Sequence, residues 1–200
     1  MFWLAKRGYQ VIGCDINSNM LKIAKNKAGQ EKSDIKFLKG DMRTIKVGKF
    51  DAVVTIFNAI GHLTKSDFEK AIQNIRENLK EGGLYVFDIF NLDYLMTGDN
   101  ITRLTIDWQE IIGNTKARTI QYSTIDKDGV LASYTTLLEQ KESHKPKISK
   151  STQTLQIYTA KQLEEMLHKN GFKILNQCGI DGSKFSNYET DRIVTIANKM

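Results

Sequence analysis

Cysteine, proline and long apolar runs are scarce in this chain. The two cysteines, Cys14 and Cys178, are too few for a disulfide framework and suit a reducing compartment. One proline and 14 glycines in 200 residues exclude collagen-like or linker-like composition. No stretch approaches the roughly 18 apolar residues that a spanning helix needs. The opening MFWLAKRGYQVIGC carries Lys6 and Arg7 inside its apolar stretch, whereas a secretory leader carries them ahead of it. No Cys/His cluster has metal-ligand spacing, and no GxSxG or Cys/His nucleophile pattern occurs. A cytoplasmic protein without metal or membrane segment is expected.

What is present is an ordinary globular composition, 40% apolar and 26% charged, enough for one domain. The net charge of +6 sits in the first half, where residues 1–90 hold 15 basic against 10 acidic side chains. Those lysines are scattered singly (Lys22, Lys25, Lys27, Lys32, Lys36, Lys39) with no aromatic platform between them. That pattern reads as a solvated surface, so no nucleic-acid partner is expected.

Periodicity supplies the architecture. YQVIGC (9–14) reads as a strand ending at Asp15, and Met20, Leu21, Ala24 and Ala28 share a helical face behind it. Residues 35–39 form a second strand closed by Gly40-Asp41-Met42, and DAVVTIF (51–57) has the unbroken apolar character of a strand buried on both faces. Ser66 and Glu69 have capping-box spacing before a helix that should end at Gly82-Gly83, followed by a strand over 84–90. Strands alternating with helices predict an α/β, Rossmann-like, mostly parallel sheet with helices on both faces. From 101 to 157, four β-prone runs separated by Gly113-Asn114 and Asp128-Gly129 predict an antiparallel β insertion before the last helix. Thr159 and Gln162 restart a helix stopped by Gly171, and two strands (172–178, 192–198) close the chain. The expected division is a core over 1–90, a β insertion over 91–158 that covers the substrate, and a closing helix and strand pair over 159–200.

In open α/β sheets ligands bind at the carboxyl ends of the strands, where this sequence places Asp15-Ile16, Asp41-Met42, Phe57-Asn58 and Asp88. A carboxylate at such a strand end can take both hydroxyls of a ribose, although Asp is also an ordinary helix N-cap. Asp88 could orient a substrate or satisfy backbone donors. Cys14 and Cys178 read as small apolar fillers within strands. Trp108, Tyr122 and Tyr134 fit ordinary sheet packing better than a substrate roof.

Taken together, Asp15 after a strand, Gly40-Asp41-Met42, FDAVVTIFNAIGHL, LKEGGLYVFD and YTAKQLEEMLHKNGF resemble the class I S-adenosylmethionine-dependent methyltransferases. The resemblance spans nearly the whole chain and is nearest to the glycine-type and aminosugar N-methyltransferases. It implies S-adenosyl-L-methionine as cofactor, with Asp15 on the ribose hydroxyls, Ile16 on the adenine, Asp41 accepting from the adenine amino group and the Met42 amide facing a ring nitrogen. Phe57–Ala59 would lie beside the sulfonium. Asn58 and His62 would act at the methyl-transfer centre, Asn58 also holding substrate, with Tyr94 and Tyr158 as further substrate contacts. His62 reads equally as a structural histidine capping the following turn.

Two features depart from the family pattern. Its first strand and glycine-rich loop have no match here, so the first strand is expected to be absent and the chain to be cut short at its beginning, with an unpaired internal sheet edge that favours a homodimer. Phe90 stands where glycine-type enzymes carry the arginine for the substrate carboxylate, so a sugar amine or another small nucleophile fits better than a free amino acid. The competing readings are a degenerate, non-catalytic methyltransferase-like domain and a nicotinamide-dependent oxidoreductase.

Overall fold

A computed structural model describes residues 1–142 and 144–200. A short helix α1 (Phe2–Lys6) leads into β1 (Ile12–Asp15), α2 (Ser18–Gln30) and β2 (Lys36–Lys39). The next segment comprises β3 (Phe50–Thr55), a 3-10 turn over Ala59–His62, α3 (Lys65–Asn78) and β4 (Leu79–Phe90). After α4 (Leu92–Leu95) and a second 3-10 turn over Asn100–Leu104 comes a run of four strands: β5 (Ile106–Ile112), β6 (Thr115–Ile125), β7 (Val130–Lys141) and β8 (Lys147–Gln156). The chain closes with α5 (Ala160–Lys169), β9 (Phe172–Cys178) and β10 (Arg192–Lys199).

The fold is mixed α/β, as the sequence predicts. Strands β1 and β2 form a parallel pair, and β3-β4-β10-β9 form a four-stranded sheet in which only β3 and β4 run parallel. Strands β5 to β8 make the expected antiparallel meander. No backbone ladder joins β1 to β3, so each hydrogen-bonds on one side only among the described residues. This corrects the reading of 51–57 as doubly buried. With one edge unpaired, Val54 and Ile56 each remain 48% exposed. Cys14 is likewise exposed on β1 and so is not an apolar filler there; partial burial of its thiol and the neighbouring Asp15 and Asp41 push its pKa up.

Two boundaries moved for local reasons. Helix α3 is capped by Thr64, whose hydroxyl accepts from the Asp67 amide at 3.1 Å, leaving Ser66 inside the first turn. The helix ends at Asn78, and β4 begins at once. Gly82-Gly83 therefore lies in a register irregularity of β4, where Phe50 faces Leu79 but Ala52 faces Leu84. Thr159 and Gln162 start α5 as the sequence predicts, and the structure shows that they do so as a capping box with bonds of 2.9 and 3.1 Å.

The core is one layer of side chains between α3, α5 and the four-stranded sheet. Phe68, Ile72 and Ile75 from α3 meet Tyr85, Phe87 and Ile89, which alternate along one face of β4. Leu163, Leu167, Phe172, Ile193 and Ala197 complete it. Aromatic rings carry the centre, with Phe68 edge-on to Phe87 at 5.9 Å and Tyr85 against Phe87 at 4.7 Å. The meander docks through Gly129. Its φ is +81°, a Cβ there would stand 2.5 Å from the Ile157 carbonyl, and the Gly129 carbonyl accepts from the Ile157 amide at 2.8 Å.

Candidate active site

The ends of β1 and β2 lie side by side. Asp15 is in register with Lys39, and the Gly40 amide donates to the Asp15 carbonyl at 3.1 Å, which carries Asp41 to the same rim as Asp15. A Cβ at position 40 would meet Ile45 Cδ1 at 2.2 Å, so any other residue there would displace the Ile45 side chain. The Asp15 carboxylate accepts the Asn17 amide at 2.7 Å, but the cap of α2 is Asn17 itself, which accepts from Asn19 and Met20. Asp15 therefore keeps one carboxylate oxygen without a protein donor among the described residues. Beside it Ile16 is 62% exposed, an apolar surface at a polar rim.

Asp41 is more occupied than the sequence suggests. Arg43 donates to it from its own amide at 2.9 Å and from its guanidinium at 2.5 to 3.0 Å, and reaches Asp67 of α3 at 2.8 Å. The guanidinium holds the Asp41 carboxyl below its ordinary value, while Lys70 and Arg43 lower Asp67. A carboxylate offers about four acceptor positions, and Arg43 engages all of them: its amide and Nε on Oδ1, its Nε again and Nη2 on Oδ2. Met42 packs against the core, and its carbonyl accepts from Asn74 at 3.0 Å.

Asn74 and Asn78 support the loop behind the rim, which the sequence did not signal clearly. They stand four residues apart on the otherwise apolar inner face of α3, and both are buried. Asn74 donates to the Met42 and Ile45 carbonyls, Asn78 donates to Ile45 and accepts the Val47 amide at 2.8 Å. Between them they fix the 42–48 loop on which Asp41 depends.

After β3 the chain turns sharply. Phe57 and Asn58 both have positive φ, +62° and +56°, an arrangement uncommon for residues other than glycine. The Phe57 side chain is 78% exposed, whereas Asn58 is buried and its Oδ1 accepts the Phe90 amide at 3.0 Å. Asp88 lies within β4, two residues before its end. Of its two sequence readings the structure favours the satisfying of donors: it is 2% exposed, accepts from the amides of Phe57 and Asn58 and pairs with Arg192. His62 ends the 3-10 turn and is exposed, and the cap of the following helix is Thr64.

Tyr94 on α4 and Tyr158 before α5 are buried, 5% and 1% exposed, and each hydroxyl lacks a hydrogen-bond partner. Their backbones meet through α4: the Leu92 amide donates to the Tyr158 carbonyl at 3.0 Å. Tyr158 packs against Phe68 at 5.5 Å, and burial next to Glu69 raises its phenol pKa. Trp108 and Tyr122 are exposed on the meander, and Tyr122 stacks on Tyr134 at 5.0 Å. Among the described residues no cluster of His, Cys, Asp and Glu is suited to a metal, and no helix is long and apolar enough to cross a membrane.

Residues 1–83 match the family model described as a methyltransferase domain. A putative methyltransferase of Geobacillus sp. (strain WCH70) is 33% identical over 97 residues, covering 46% of this chain and 39% of the relative. A glycine/sarcosine N-methyltransferase of Parasynechococcus marenigrum is 32% identical over 108 residues, covering 50% and 37%. These alignments span less than half the length of the curated relatives. Among solved structures, CalS10 of Micromonospora echinaspora, an amino pentose methyltransferase described with S-adenosylmethionine bound, superposes with a TM-score of 0.73 over 96% of this chain and 74% of its own, at 17% identity. The fold is that of the S-adenosylmethionine-dependent methyltransferases, with both the glycine-type and the aminosugar-type proteins among its likenesses.

The residues present fit the adenosine half of that cofactor. Asp15 has a free acceptor for a diol and Ile16 offers an apolar face beside it, whereas Asp41 would take an amino group on Oδ2 in place of the Arg43 Nε contact, which Oδ1 also holds.

Proposed function

We propose that the protein binds S-adenosylmethionine and transfers its methyl group to a nitrogen or oxygen of a small molecule. The observation that carries this reading is the pairing of Asp15 and Asp41 at the carboxyl ends of two adjacent parallel strands, tied by the Gly40 amide.

In this reading Asp15 orients the ribose, Ile16 covers the adenine, and Asp41 and the Met42 amide read its edge. The cofactor, when bound, supplies a methyl on a sulfonium that departs as a neutral thioether. The work left to the chain is alignment and exclusion of water, which can contribute up to roughly 7–11 kcal/mol. Phe57 and Asn58 shape the rim next to the reacting centre. Tyr94 and Tyr158 are substrate contacts, supported by their two unpartnered buried hydroxyls, each of which costs about 1–3 kcal/mol until a group completes it. In this reading the meander over 106–156 is the substrate cover. A neutral amine needs no base; a hydroxyl substrate would give its proton to His62. Phe90, in place of a guanidinium, favours a sugar amine over a free amino acid.

Calorimetric titration with S-adenosylhomocysteine, NADH as control, tests this. Saturable binding of the first alone is expected. Asp15→Ala should weaken it about tenfold or more, the loss of hydrogen bonds to a charged acceptor. Selective binding of NADH would favour an oxidoreductase, and no nucleoside binding a non-catalytic domain.

A further inference from the structure

The Phe57–Asn58 turn is held against its own backbone preference. Asparagine tolerates positive φ through its short polar side chain, but a bulky aromatic does not. Nothing in the packing of Phe57 compensates, since its ring is 78% exposed. What holds the turn is a carboxylate behind it. Asp88 Oδ1 accepts the Phe57 amide at 2.6 Å, and Oδ2 accepts the Asn58 amide at 3.4 Å. Arg192, the first residue of β10, donates from Nη1 to Oδ2 at 3.1 Å, and its guanidinium lies 4.7 Å from the centre of the Phe90 ring. Phe90 in turn donates its amide to Asn58 Oδ1. The links form a closed circuit: turn to Asp88, Asp88 to Arg192, Arg192 to Phe90, Phe90 back to the turn.

We infer that Asp88 and Arg192 are a positioning pair that clamps Phe57 and Asn58 in the left-handed conformation. The inference rests on the methyltransferase reading for what the turn positions, but not for the clamp itself. Two successive amides aimed at one carboxylate form an anion-holding concavity whose anion is part of the chain. Because a trans peptide sets its carbonyl opposite its N–H, the same clamp turns the Ile56 and Phe57 carbonyls away from Asp88. It thereby fixes both the exposed ring and two acceptors at the rim. Arg192 stops Asp88 from swinging out of the turn, and the Phe90 ring limits where the guanidinium can go. The residue at position 90 thus supports the clamp in this chain.

Nuclear magnetic resonance on the full chain tests the clamp directly, through φ-sensitive couplings and amide exchange at Phe57 and Asn58, alongside calorimetric titration with S-adenosylhomocysteine. In Asp88→Asn, where an NH2 group replaces one acceptor, the positive-φ couplings should be lost. Exchange at Phe57 should speed up about tenfold or more, and affinity should fall by a similar factor. Arg192→Lys should keep most of the geometry and affinity, and Arg192→Met should lose both. Adding Phe57→Gly to Asp88→Asn should recover melting temperature but not affinity, because glycine permits the turn without specifying it. Should Asp88→Asn not fold, Arg192→Met at the more open end of the pair carries the test. Unchanged couplings and exchange in either variant would overturn the inference, leaving a plain core ion pair. Failure of the wild type to bind S-adenosylhomocysteine would instead overturn the functional reading, with the couplings still deciding the clamp.

Discussion

At the scale of single residues, Phe57 carries the clearest conflict between local preference and global structure. A non-glycine residue in a sparsely allowed region costs about 1–3 kcal/mol, and here almost no burial of the ring offsets it. Glycine forfeits about 0.5–1 kcal/mol of backbone entropy but removes the steric term. Phe57→Gly is therefore expected to leave the melting temperature unchanged or raise it by a few degrees, as read by scanning calorimetry. A fall of several degrees would mean that the ring is packed. That such a residue sits at the rim of the candidate site, and not in a remote turn, is what makes the strain informative.

Elements were legible in the sequence where one local rule sufficed. The helix start at Thr159, the meander and the closing strands needed only spacing and turn chemistry, and the rim acids followed from strand ends. The start of α3 and the length of β4 were not legible. Thr64 and Ser66 are equally good caps in isolation, and the five residues from Leu79 join β4 only because Phe50 faces Leu79. The support under the site was hidden for a similar reason. Asn74 and Asn78 look like breaks in an apolar face, and Arg192 is one of many basic residues until β10 brings it to Asp88. Asn78 makes bonds to Ile45, Val47 and Asn74 in a buried setting. Asn78→Ala should cost about 2–4 kcal/mol in urea unfolding and loosen the 42–48 loop. A loss below about 0.5 kcal/mol would show that water replaces the amide.

At the scale of the whole molecule, many acidic groups are held below their ordinary values by basic partners. These include Asp41, Asp67, Asp107, Glu77 and Glu81. A carboxylate with a lowered native pKa contributes stability that is full above the unfolded value of 3.8 for Asp or 4.5 for Glu, and lost as pH falls through the native one. Stability should be flat towards neutrality and decline below about pH 4. Arg43→Gln should return Asp41 towards its ordinary value and move the acid unfolding midpoint, followed by circular dichroism, to higher pH. An unmoved midpoint would show that the Arg43 contacts are fully screened.

The open flank between β1 and β3 has a further consequence. The large core cluster draws its fully buried members from residue 60 onwards, while α2, β1 and β2 bury little more than Leu21, Ala28 and Ile35. Links between the two halves include the Asn74–Asn78 staples, the Arg43 bridge, the Lys46 and Lys49 contacts with Glu77 and the packing of Met42 on the core. The acids proposed for the adenosine thus ride on the half with the smaller reserve of buried surface, and the Phe57 turn on the other. A small molecule spanning both would act as a tether. Because it would bind the folded chain and not the unfolded one, the less buried half would gain stability with occupancy and unfold more nearly together with the other.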